Sequence, residues 1–120
     1  MPISMTLDAF RKTLSAEAPP DGADLALQGL WWSAKGEWDR AHRCAQEGEG
    51  KADCDLVHAH LHRVEGDLAN AGYWYRSAGE KAATNSLEEE WAALASRFLA
   101  KRQSTASSCR RDARGPKSIQ

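Results

Sequence analysis

Apolar residues recur along this chain at three- and four-residue intervals, the period of one helix face. Leu7, Phe10 and Leu14 line up over about residues 4–17. Leu27, Leu30, Trp31 and Ala34 do so over 23–35, and Trp38, Ala41 and Ala45 over 37–47. Val57, Leu61 and Val64 mark a fourth helix over 54–65, with Cys54 at its leading end and Asp53 placed to cap it. Leu68, Ala71, Tyr75 and Ala78 mark a fifth over 68–78, which Asp67 can cap. Leu87, Trp91, Leu94 and Phe98 mark a sixth over 86–101. Ser86 and Glu89 open it at capping-box spacing, where each side chain can bond the other's free amide. Between these runs stand the breakers: Pro19-Pro20-Asp21-Gly22, Gly36, Gly48 with Gly50, Gly66 and Gly79. Val and Ile occur twice each, so strands have little to build on. The expectation is an all-α fold in a single domain over 1–102. From about residue 103 the chain turns polar and locally basic, "QSTASSCRRDARGPKSIQ", which predicts a disordered basic tail over 103–120.

Two of the helix pairs repeat. When residues 25–48 are laid over 55–78, Gly36 falls on Gly66, Ala41 on Ala71 and Ala45 on Tyr75. The stripe Leu27, Trp31, Ala34 falls on Val57, Leu61, Val64. The offset is 30 residues, and each pair alone is too thin to bury its own apolar face. Small residues sit where two paired helices touch, Gly29 with Ala41 and Ala59 with Ala71. This pattern resembles tetratricopeptide repeats over about 55 residues. It departs from that family in its offset, since family repeats run to 34 residues, and in lacking a closing proline. The resemblance implies two tandem helical hairpins flanked by an N-terminal and a C-terminal helix. It also implies an inner groove lined by Ala26, Leu30 and Ser33, then Leu56, His60 and Arg63. That set lacks the lysines and asparagines with which family members clamp a peptide carboxylate. Residues 58–75 are also similar to a block, HAxLHRxEGDLxNAxYWY, of short uncharacterised bacterial proteins, a likeness that implies no activity.

Composition narrows the classes of partner. The net charge is −1 over 120 residues, so no global basic field argues for nucleic acid. No stretch reaches the roughly 20 apolar residues of a spanning helix, and the amino terminus has no apolar core of a secretory signal. Cys44, Cys54 and Cys109 are an odd set without framework spacing. With no signal in view they predict reduced thiols and a cytoplasmic protein. A short helical repeat also leaves apolar surface to cover, which makes homodimerisation an expectation.

Chemistry concentrates in residues 57–76, "VHAHLHRVEGDLANAGYWYR". Cys54, His58, His62 and Glu65 are spaced 4, 4 and 3 apart and share one side of the fourth helix, beside its apolar stripe. His60 points elsewhere. Histidines one turn apart, about 6 Å, are good geometry for two ligands of one metal. A metal wants a third ligand, which must come from another helix. Glu65 or His42 serves only if packing brings it close. The other reading places His58 and His62 at the hairpin interface as hydrogen-bonded neutral rings. In that case folding weakens as pH falls through their unfolded pKa near 6.5. No HExxH, glycine-rich phosphate loop, CxxC or Ser–His–Asp order is present, so no cofactor is expected and enzyme activity is unsupported. Tyr73, Trp74 and Arg76 suit a partner surface, where aromatics and arginine are enriched. The function read from the sequence is an interaction or scaffold module that binds another protein or itself. The alternative is a small-ligand or metal-binding protein centred on His58 and His62, with Arg63 and Glu65 beside them.

Overall fold

Two chain reversals, thirty residues apart, have the same backbone. At the first, Gly36 takes φ +81°, and at the second Gly66 takes φ +88°, values that favour glycine because it has no Cβ. Gly36 N donates to Ser33 O and Glu37 N to Trp32 O; Gly66 N donates to Arg63 O and Asp67 N to His62 O. Each is a Schellman ending that satisfies the last free carbonyls of one helix while aiming the chain into the next.

The computed structural model describes residues 5–103. Among them the chain is all helical. The elements are α1 (Leu7–Lys12) followed by a 3-10 turn (Thr13–Ser15), α2 (Leu25–Ala34), α3 (Trp38–Glu47), α4 (Ala52–Val64), α5 (Leu68–Ala78) and α6 (Leu87–Gln103). α2 packs chiefly on α3, and α4 chiefly on α5. α4 is the hub, because α2, α3 and α6 also lie against it. α6 lies across α2 and α4, and α1 packs on α6. Among the described residues no helix is long and apolar enough to cross a membrane. The expected basic tail lies outside the described residues, apart from Gln103 at the end of α6.

The core forms where these helices converge. Phe10, Leu27, Leu30, Trp31, Val57, Leu61, Phe98 and Leu99 are fully buried, each burial contributing about 1.5–3 kcal/mol. Gly29 lets α2 approach α4 closely: a Cβ there would sit 2.9 Å from Val57 Cγ1. Buried indoles also find partners. Trp91 Nε1 donates to Leu30 O at 2.7 Å, Trp31 Nε1 to Thr13 Oγ1 at 3.0 Å and Trp38 Nε1 to Leu61 O at 2.8 Å.

Several local expectations are corrected. α1 ends at Lys12, short of residue 17. The Thr13 hydroxyl donates to Phe10 O while accepting from Trp31, and the chain tightens there into a 3-10 turn. Asp53 does not cap α4. The helix begins at Ala52 with Lys51 in the cap position, and the Asp53 carboxylate pairs with Lys101 of α6 at 3.0 Å. Val64 and Leu68, placed in apolar stripes, are 43% and 68% exposed. They flank the Gly66 reversal, where the chain leaves the core. The groove positions Leu30 and Leu56 do not face an open groove. They are buried, and α6 lies across the two helices that carry them; His60 is also buried but lines a cleft left beside α6.

Candidate functional site

The residues singled out in 57–76 divide between two sides of α4. On the side facing α3 and α5 stand His58 and His62, and α3 supplies a third imidazole, His42. One ring nitrogen from each of the three lies within 4.8 Å of the others. His58 Nε2 and His42 Nε2 are 2.9 Å apart, a hydrogen bond in which one ring donates and the other accepts. His62 Nδ1 lies 2.6 Å from Glu65 Oε2, one helical turn along α4. An ionised carboxylate only accepts, so Glu65 holds the proton of His62 on Nδ1 and leaves Nε2 with its lone pair.

Aromatic rings wall the cluster. Trp38 stacks on His42 with centroids 4.6 Å apart, and Trp74 stacks on His58 at 3.9 Å. The edge of Trp74 meets Tyr73, which is 55% exposed. His58 and His62 are buried and His42 is half-buried, so the cluster meets solvent on the α3 side. Among the described residues, His58 Nδ1 is the buried side-chain polar atom without a hydrogen-bond partner.

The electrostatics disfavour charge on two of the three rings, His58 and His42. Burial pushes His58 down to about 4, helped by the neighbouring His42 and His62. Burial and then His62 hold His42 below its ordinary value, against a weaker pull from Glu65 and Asp39. A ring whose folded pKa lies below its unfolded value near 6.5 stabilises the fold above that value. The contribution is lost as pH falls through 6.5 and is exhausted near the folded value. In metal-free protein, moving from about pH 7.5 to 5 should cost on the order of 2 kcal/mol for His58. Urea midpoints measured in a chelating buffer check this, and a midpoint flat over that range would remove the assignment of buried neutral rings.

The other side of α4 carries a separate network built on Glu90 of α6. This carboxylate is buried and accepts from His60 Nδ1 at 2.7 Å, from Arg63 Nη1 at 2.8 Å and from the Tyr75 hydroxyl. Burial pushes Glu90 up, but bonds from His60, Tyr75 and Arg63 outweigh it, and the carboxyl sits below its ordinary range. Arg63 and His60 thus belong to an anchor for α6 and not to the histidine cluster. Cys54, aligned with His58 by spacing, also stands apart. It is buried, with its thiol pushed up to about 11 by burial and nearby carboxylates, an inert thiol and not a ready thiolate.

Spacing alone aligned His58, His62 and Glu65, but His42 entered only as a conditional ligand and Glu90 not at all. His42 lies one turn beyond Trp38, on the face of α3 that meets α4. Glu90 was legible as a charge at the i+3 position of the Leu87 stripe. No protein-family model matches the chain, and neither the curated proteins nor the solved structures contain a significant match.

Proposed function

We propose that this protein binds one divalent transition-metal ion, with Zn²⁺ as the reference case, through His42, His58 and His62. The observation that carries the reading is the convergence of three imidazoles from two helices onto one point. Zinc–nitrogen bonds of about 2.0–2.1 Å put tetrahedral ligand nitrogens roughly 3.4 Å apart. The His42–His58 pair is already closer than that, and the third ring needs a shift of up to about 1.4 Å. Neutral rings are what a metal requires, because it competes with protons for the same lone pairs. Binding would replace the His42–His58 hydrogen bond, and the proton of the donating ring would move to that ring's Nδ1. Glu65 supplies the outer-shell carboxylate that orients a ligating histidine and raises its basicity. Held on the far nitrogen of His62, that carboxylate would leave the fourth position of the ion to water. Imidazole donors suit zinc, copper and nickel better than calcium or magnesium. The ion would bridge α3 to α4 and so tie the two repeated helix pairs together.

Isothermal titration of untagged, chelator-treated protein with Zn²⁺ tests this. One ion per chain is expected, with little proton release near neutral pH because the His58 and His42 rings are already neutral, and affinity should fall at least about tenfold in His42→Ala. Substoichiometric binding, or binding indifferent to His42→Ala and His58→Ala together, would overturn the reading.

A second reading, pairing with another protein or a second copy of this chain, draws on one observation. Trp38 of α3 is covered by α4, whereas Leu68, its counterpart thirty residues on, is 68% exposed beside exposed Val64 and near Tyr73. Exposed neighbouring apolar residues of this kind suit a partner. If α5 pairs with a copy of itself, sedimentation velocity gives a dimer that Leu68→Glu converts to monomer. A wild-type chain that stays monomeric at high concentration would rule out self-pairing.

A further inference from the structure

We propose that the cleft between α1, α2 and α6 is a second binding site, for a small apolar molecule with a single hydrogen-bond donor, of which phenol is the simplest case. The site is independent of the metal reading, because His60 points away from the histidine cluster. The cleft has a volume of about 370 Å³, at the small end of the range for ligand pockets. Leu14, Ala34, Leu87 and Trp91 supply apolar wall, and Arg11 and Glu88 stand among its polar residues. His60 also lines it.

His60 is the feature that makes this more than an apolar dent. Its Nδ1 lies 2.7 Å from Glu90, which already accepts from Arg63 and Tyr75. That carboxylate is ionised beside the guanidinium and can only accept, so the ring proton sits on Nδ1. A neutral imidazole then carries its lone pair on Nε2. Nε2 has no hydrogen-bond partner among the described residues, yet the buried polar atom without a partner is His58 Nδ1. Nε2 of His60 therefore meets the cleft and not the protein interior. The result is one fixed acceptor, oriented by a buried four-residue network, at an otherwise mostly apolar wall. A hydroxyl donor completes it. An ether of the same shape leaves the acceptor desolvated and unpaired, a difference that commonly discriminates between ligands by tenfold or more. Trp91 is 8% exposed, with Phe10 stacked on it and Arg11 over its ring, so a ligand meets only the rim of the indole.

The test is an NMR titration of the full chain with phenol and, separately, anisole. It follows the Trp91 indole N–H and the His60 ring nitrogens. Phenol should shift both saturably, and anisole should bind at least about tenfold more weakly. Replacing His60 risks the α6 anchor, so the blocking variant is Ala34→Leu. It fills the cleft from an exposed position at the end of α2 and leaves Glu90, Arg63, Tyr75 and His60 themselves unsubstituted. Phenol binding should disappear in Ala34→Leu with the melting temperature unchanged. Equal affinity for phenol and anisole would overturn the proposal, as would phenol binding that survives Ala34→Leu. So would the absence of any shift at Trp91 up to the solubility limit of phenol.

Discussion

Zn²⁺ at about a hundredfold excess over its dissociation constant should raise the stability of this protein by about 2.7 kcal/mol. For a folded region of this size that corresponds to a melting temperature higher by roughly 10 °C. The size follows from linkage. An ion that binds the folded chain and not the unfolded one adds its binding free energy to folding, and the three imidazoles converge only when α3 lies on α4. The increment should therefore fall by about half or more in His42→Ala, read against that variant's own metal-free stability because the exchange also removes the hydrogen bond to buried His58. It must also shrink as pH falls through the folded-state values of the rings, which lie below 6.5 and at about 4 for His58, because metal and protons compete for one set of lone pairs. Differential scanning calorimetry with and without Zn²⁺ measures it. A melting temperature that rises equally in wild type and His42→Ala would place the ion elsewhere on the chain.

Glu90→Gln should be the most damaging conservative substitution in the molecule, at about 3–5 kcal/mol. The exchange keeps size and shape and removes the charge. Arg63, 14% exposed in its side chain, then faces a neutral amide, and the Tyr75 hydroxyl and His60 Nδ1 lose a strong acceptor. By comparison Tyr75→Phe removes one hydrogen bond and should cost about 1 kcal/mol. Against a typical total of 5–15 kcal/mol, the Gln variant leaves a marginal domain whose first loss should be the packing of α6. Adding Arg63→Met to Glu90→Gln should restore part of the loss, since it removes the uncompensated charge. Chemical denaturation of the single and double variants decides this. A Glu90→Gln cost within about 1 kcal/mol would mean the network is solvated and anchors nothing. The acid sensitivity of this carboxylate is distinct from that of the histidines. Its pKa is depressed, so its contribution is present above the ordinary carboxylate value near 4.3 and is lost only as pH falls further.

Helix content was legible because period and punctuation agree. Leu27, Leu30 and Trp31 recur at helical spacing, and glycine stands where each pair reverses. The 30-residue offset also has a physical counterpart in the matched backbones at Gly36 and Gly66. Burial at the ends of stripes was not legible. Val64 and Leu68 keep the period but sit where the chain turns away from the core, and periodicity does not report which elements lie opposite. The same blindness hid the fate of the groove, since the position of α6 depends on a contact thirty residues distant in sequence, His60 with Glu90. At the histidine cluster, spacing identified two rings on one helix. The third required knowing which face of α3 meets α4. That is a tertiary fact, set by Trp38 reaching the Leu61 carbonyl.

Two of the five tryptophans stack directly on imidazoles of the cluster, Trp38 on His42 and Trp74 on His58, while Trp91 is buried on α6 away from the cluster. An indole in face contact with a ring loses emission when that ring gains a proton or holds a paramagnetic ion such as Cu²⁺. The molecule thus has a built-in optical gauge. Part of its fluorescence reads the occupancy and charge of three histidines, and the remainder, from indoles away from the cluster, serves as the reference.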